Sequence, residues 1–199
     1  MKKSVGLLVL FLGCSMVNAQ VPSSSTASKD AEQIKTSVLV VYYSATGNTE
    51  KMAQAVAAGA QKVSTVNVLV KTPDKVTEDD LKNADAILLG SPTYYGNMSA
   101  QMKAFIDDWF LKYQTSLVNK VGGAFSTGAD ESGGKEHVLY SFVIAMMNAG
   151  MIIVGPLKGS FGTVGVAALD PINEAALKEA SALGERAANI ARQLKNGKK

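Results

Sequence analysis

Val38-Leu39-Val40-Val41-Tyr42-Tyr43-Ser44-Ala45-Thr46-Gly47-Asn48-Thr49 is the stretch on which the reading of the fold turns. Its first four residues are apolar at successive positions, as a strand buried on both faces requires. The run stops in small and hydroxyl-bearing residues, and helical spacing follows over Asn48–Gln61. Gly47 lets the backbone turn tightly. Successive N–H groups then converge at a helix N-terminus, with Ser and Thr hydroxyls as further donors, an arrangement suited to phosphate oxygens. No Lys follows Gly47, which excludes the Gly-Lys-Ser/Thr loop of nucleoside triphosphate enzymes. The plain alternative is a surface helix capped by Asn48 or Thr49.

Outward from this stretch, short apolar runs alternate with helix-period segments, the pattern of parallel strands joined by crossover helices. Strands are expected at Ser37–Tyr43, Val66–Val70, Ala86–Gly90, Val121–Phe125 and Met151–Val154. Helices are expected at Asn48–Gln61, Thr77–Lys82, Met98–Phe110, Lys135–Ala149 and Ile172–Leu194, the last opened by Pro171 as a favoured first helical residue. Five strands with interleaved helices predict an α/β doubly wound three-layer sandwich. Ligands bind such folds at the carboxyl ends of the strands.

The ends of the chain read differently. Lys2 and Lys3 precede an apolar run, Val5 to Gly13, that is too short to span a bilayer, and Val17-Asn18-Ala19 resembles a signal-peptidase site. Residues 1–19 are therefore expected to be a signal peptide and the protein to be exported, periplasmic or secreted. Leu12-Gly13-Cys14 leaves open a second reading, a lipoprotein anchored to the membrane through Cys14. Residues 20–35, rich in Ser, Thr and Ala, read as a flexible tether, and residues 36–199 as one domain. Without Lys2 and Lys3 the chain carries 18 basic against 17 acidic side chains, and these are interleaved, which argues against a nucleic-acid surface. Lys195, Lys198 and Lys199 read as a frayed, solvated helix end. The sole histidine, His137, has no Cys or carboxylate partners at ligand spacing, so no metal site is expected.

Two further glycine-bearing loops fall at expected strand ends: Gly90-Ser91-Pro92-Thr93-Tyr94-Tyr95-Gly96-Asn97-Met98-Ser99-Ala100-Gln101-Met102-Lys103, and Ser126-Thr127-Gly128-Ala129. Adjacent aromatics at a strand's end are poorly placed for the core and well placed to meet a flat ring, unless they simply cover the sheet end. Together with the loop at Ser44–Thr49, these motifs resemble the flavodoxin-like FMN proteins. Within them the likeness is to the NAD(P)H:quinone oxidoreductases known as tryptophan-repressor-binding proteins, and it runs from about Val38 to Gly197.

The resemblance implies a flavodoxin-like sheet of order 2-1-3-4-5 and FMN as cofactor. Ser44, Ala45, Thr46, Gly47, Asn48 and Thr49 would hold its phosphate. Pro92, Thr93, Tyr94, Tyr95, Gly96 and Asn97 would lie against its ring, and Ser126, Thr127, Gly128 and Ala129 would meet its polar edge. It also implies NAD(P)H as reductant and a quinone-like acceptor. Where relatives commonly carry a His near the flavin across a subunit contact, this chain has Asn148, which cannot shuttle a proton near neutral pH. The links Val70–Ala84 and Gly155–Pro171 are shorter than in those relatives, so a homo-oligomer is open but the family tetramer does not carry over. No residue is assigned as general acid or base. Two rival readings stand beside the oxidoreductase: a one-electron carrier of flavodoxin type, against which the near-neutral charge weighs, and an exported FMN-binding module without turnover.

Overall fold

The computed structural model describes residues 35–157 and 164–197. The proposed leader, most of the tether and Cys14 lie outside the described residues, as do Lys198 and Lys199.

Strand β1 (Thr36–Tyr42) is followed by helix α1 (Asn48–Gln61), β2 (Val66–Lys71), a 3-10 turn at Pro73–Lys75, α2 (Glu78–Asn83) and β3 (Ala86–Tyr94). Then come β4 (Asn97–Met98), α3 (Ala100–Asp108) with a π-helical turn at Trp109–Tyr113, β5 (Val121–Gly128), α4 (Lys135–Asn148), β6 (Ile152–Ile153), β7 (Val166–Leu169) and α5 (Glu174–Asn196). The main sheet is parallel, in the order β2-β1-β3-β5, with β6 and β7 both on the outer edge of β5. Numbered among themselves, the principal strands run 2-1-3-4-5, the flavodoxin-like order.

Strand period explains the three layers. Val38 and Val40 of β1, with Ala86 and Leu88 of β3, pack beneath α1 and α5. Leu39, Val41, Ile87 and Leu89 point the other way, against α2, α3 and α4. Each successive side chain thus meets a different helical layer, and no position can be polar. Where α1 crosses α5 the backbones touch: a Cβ on Gly59 would stand 1.8 Å from the Ser181 carbonyl oxygen, and one on Gly184 would stand 1.9 Å from that of Val56.

Several boundaries differ from the sequence expectation. The fifth strand shortens to Ile152–Ile153, which pairs with Val121 and Gly122, while Val166–Leu169 pairs with Phe125–Gly128. The edge is therefore filled in two pieces. Val166-Ala167-Ala168-Leu169 lacks the β-branched run that would announce a strand, so only its pairing reveals it. Pro171 does not open the last helix. The Asp170 N–H still donates to Gly128 O (2.9 Å), and the cap is Asn173, whose Oδ1 accepts from the Ala176 N–H (2.9 Å). Thr77 likewise caps α2, in a reciprocal box with Asp80, rather than beginning it. Met98 belongs to β4 and Ser99 caps α3. Lys195 is no frayed end: its ammonium meets Asp85 Oδ2 at 2.7 Å, and the Ser37 N–H donates to the same oxygen at 2.8 Å, tying α5 to the lower end of the sheet.

Candidate functional site

Ser44 to Gly47 leave the end of β1 and enter α1 through Gly47, at φ +87°, with open space where a Cβ would stand. Gly47 is itself the N-cap, and no side chain caps the helix. The capped-helix alternative for Asn48 or Thr49 is thereby overturned, and the first-turn N–H groups of α1 are left to other acceptors. Ser44 Oγ accepts from the Gly47 N–H (3.1 Å), which closes the loop on itself. Thr49 is buried, and its hydroxyl lies 2.8 Å from that of Thr127, joining the loop to β5. Ala45 and Thr46 are exposed at the tip. Burial, aided by the Glu50 carboxylate that accepts its proton at 3.1 Å, pushes the Tyr42 phenol up.

The second segment is less a loop than an extension of the sheet. Pro92, Thr93 and Tyr94 continue β3, which turns at Tyr95 (φ +49°) and Gly96 (φ +77°) and returns as Asn97–Met98. Two positive-φ residues in a two-residue connection make a tight hairpin of the kind that suits strand twist. Tyr95 is fully exposed at its tip and Tyr94 partly so, which leaves Tyr95 no part in covering the sheet end. Burial, and behind it the neighbouring Tyr43, pushes the Tyr94 phenol up. Ser91, fully buried, accepts from the Ser99 N–H (2.9 Å) and donates to Pro92 O (2.7 Å), fastening the hairpin to the start of α3. The buried hydroxyl of Thr93 has no hydrogen-bond partner.

Ser126, Thr127 and Gly128 are likewise strand rather than loop, because β7 pairs with them and prolongs β5. Ala129, exposed, begins the turn to α4. Ser91 pairs with Ser126 and Pro92 with Thr127, so the second and third segments run side by side to the upper sheet edge. They touch again beyond it: a Cβ on Gly134 (φ +92°) would come 2.8 Å from Cα of Gly96. The three segments singled out in the sequence therefore converge at the carboxyl ends of β1, β3 and β5.

Asn148 does not join them. It is exposed at the last turn of α4, whose first turn follows Gly134, and 14 residues of helix separate the two by about 20 Å. There it lines a hollow of about 460 Å³ with Trp109, Val118 and Lys103. Trp109 itself packs edge-on to Phe105, with ring centroids 5.7 Å apart. His137 is exposed on α4, and Asp130 and Glu131 are exposed in the turn before it.

Two features escaped the sequence reading. A cleft of about 390 Å³ opens beside Ser44, lined by Tyr43, Thr72, Pro73, Gln101 and Phe105; nothing in the spacing of these residues announces it. The other is Lys135, which reads as an ordinary helix start yet is only 5% exposed. Its ammonium donates to the carbonyl oxygens of Asp130 and Glu131, and its backbone carbonyl accepts from Ser126 Oγ at 3.0 Å.

Among known proteins, residues 35–164 match the family described as NADPH-dependent FMN reductase. An NAD(P)H dehydrogenase (quinone) of Nitrobacter winogradskyi is 39% identical over 149 residues, which is 65% of this chain and 75% of that protein. One of the same name from Afipia carboxidovorans is 37% identical, over 66% and 76% of the two chains. Among solved structures, the flavodoxin, WrbA-like protein from Agrobacterium tumefaciens superposes with a TM-score of 0.66 at 33% identity, covering 80% of this chain and 99% of that one.

Proposed function

Because the chain belongs to the NADPH-dependent FMN reductase family, we propose that it is an FMN-dependent oxidoreductase that passes electrons from NAD(P)H to quinone-like acceptors. The observation that carries this reading is the uncapped N-terminus of α1, opened by left-handed Gly47 and joined to β5 through the Thr49–Thr127 hydroxyl pair. That is a seat for a phosphate with no charged side chain needed.

The residues fit FMN. Ser44, Thr46 and the N–H groups from Asn48 onward would take the phosphate, with Ala45 and Gly47 as backbone contacts. The hairpin Pro92–Asn97 and the strand end Ser126–Ala129 would hold the ring. Thr93 supports this in particular, since a buried hydroxyl without a partner costs about 1–3 kcal/mol and an acceptor on the cofactor would remove that cost. When bound, FMN supplies the electron-transfer chemistry itself. The protein's part is to orient the ring, keep one face open to donor and acceptor, and shield the other. Tyr95, exposed on a rigid two-residue turn, suits a substrate-facing position. No side chain in the converged segments is a convincing proton donor or acceptor.

A chain that binds one FMN, quenching or shifting its fluorescence, and then oxidises NADH or NADPH in the presence of benzoquinone would support the proposal. Tight FMN binding with no turnover would favour the electron-carrier reading, which the likeness to flavodoxins also supports: the solved flavodoxin from the domain Archaea is 29% identical, with a TM-score of 0.66.

Export belongs to the same proposal. The leader at 1–19 and the tether at 20–35 support a domain held outside the cytoplasm, secreted or anchored through Cys14, and mass spectrometry of the mature N-terminus distinguishes these. A homo-oligomer is supported by the outward row Tyr140, Ile144 and Met147 on α4, all exposed and all apolar in body. Asn148, next in that row, would meet a cofactor only on another copy.

A further inference from the structure

Lys135 is the one charged side chain among the described residues that is buried. Its stem lies over the end of β5: a Cβ placed on Gly128 would come 3.0 Å from Lys135 Cγ and 3.5 Å from Thr93 Cβ. Lys135 and Thr93, whose hydroxyl is buried and unpartnered, therefore both border the end of β5 at Gly128. Beyond it, the ammonium is held by two neutral carbonyls, those of Asp130 and Glu131. The acids around it are Asp130, Glu131 and Glu136 from its own turn and helix and Glu179 from α5. Glu131, Glu136 and Glu179 line a common groove with its stem, yet among the described residues none forms an ion pair with it.

An ammonium whose partners are neutral oxygens has no anion beside it to offset its charge, so an anion brought near it gains a partner. The uncapped N-terminus of α4, which begins at Lys135, adds partial positive charge at the same place. In the proposed reaction the reduced cofactor would carry negative charge on its ring, and the strand end Ser126–Ala129 would meet the polar edge of that ring. We propose that Lys135 is a positioning residue that sets the redox preference of the site, its ammonium favouring the reduced, anionic form of FMN over the oxidised, neutral form. This rests on the FMN-binding reading above.

Wild type, Lys135→Gln and Lys135→Arg, each loaded with FMN, are compared by fluorescence titration with oxidised FMN and by equilibration with reference dyes under a chemical reductant. Gln retains a donor for the carbonyls and removes the charge; Arg retains both. K135Q is expected to bind oxidised FMN within about threefold of wild type, while its preference for the reduced form falls about tenfold, equivalent to about 30 mV for a two-electron couple. K135R stays near wild type. A K135Q potential equal to wild type overturns the proposal, as does an equal loss of FMN by both variants, which marks a mere latch.

Wild type alone gives a test that no folding failure can spoil. Its midpoint potential should change with pH by one proton per electron pair even below the pH at which free reduced FMN becomes protonated, and a slope of two protons there overturns the proposal. Because the reductant is chemical, the result does not depend on NAD(P)H or quinone. A wild type that fails to bind FMN refutes the functional reading instead.

Discussion

Gly134 stands at φ +92°, and any side chain on it would drive a carbon to 2.8 Å from the Gly96 backbone. Strain and collision fall on the same atom, so Gly134→Ala should lower stability by about 1–3 kcal/mol. It should also weaken FMN binding by prising the hairpin from the turn before α4. Gly96→Ala, at φ +77° but with open space around it, carries strain alone, about 1 kcal/mol. Urea unfolding and FMN fluorescence titration of the two variants check this, and equal effects would mean that the contact is unimportant. Gly47, Thr49, Thr93 and Thr127 could be chosen from sequence because loop composition at a strand's end is local information. Lys135 could not. A lysine beginning a helix is ordinarily solvated, and this one instead lies over the end of β5 at Gly128, a contact that no local pattern encodes.

Helices α1 and α5 come close enough for backbone contact at Gly59 and Gly184. In a free helix Gly→Ala gains about 1 kcal/mol. At Gly59 the sign should reverse, because the added carbon meets backbone oxygen that cannot rotate away. Gly59→Ala is expected to cost about 3 kcal/mol or more while leaving FMN affinity per folded molecule unchanged, as thermal melting and a stoichiometric titration would show.

A second device at this level is the start of α2. Burial alone would push the Asp80 carboxyl up, but the Lys71 ammonium at 2.6 Å and the Thr77 N–H and hydroxyl, each at 2.8 Å, outweigh it and hold the group below its usual range. Its contribution is present above the unfolded carboxylate pKa, about 3.9, and is lost as pH falls through the lower folded value. Asp80→Asn should therefore be less stable than wild type at neutral pH, and the difference between the two urea midpoints should shrink below about pH 4. A constant difference would contradict this. The helix itself was legible in the sequence, but Thr77 reads there as its first residue and not as the cap that it forms with Asp80. The split outer edge was not legible, because Val166–Leu169 is short and half alanine, and the cap at Asn173 was hidden behind the more conspicuous Pro171.

The strand–helix alternation and the doubly apolar runs at Val38–Val41 and Ile87–Leu89 made the sandwich legible, since only strands covered on both faces require such runs. The carboxyl-end rule then located the site before any geometry was known. The reach of β3 and β5 beyond their apolar cores, to Tyr94 and Gly128, was not legible, because Ser91-Pro92 and Ser126-Thr127-Gly128 lack the apolar run that announces a buried strand. The result is an upper sheet edge at which three segments converge, on a domain of nearly balanced charge. Balanced charge suits small-molecule substrates better than electrostatically steered protein partners. If FMN held at this edge is reducible by a nicotinamide, adding one must bleach the bound flavin. Anaerobic titration of the FMN-loaded protein with NADH and with NADPH, followed by flavin absorbance, tests it most directly. Prompt bleaching by at least one nucleotide, with colour restored by a quinone, is the expected result; bound FMN that a chemical reductant bleaches but neither nucleotide does would overturn the oxidoreductase reading.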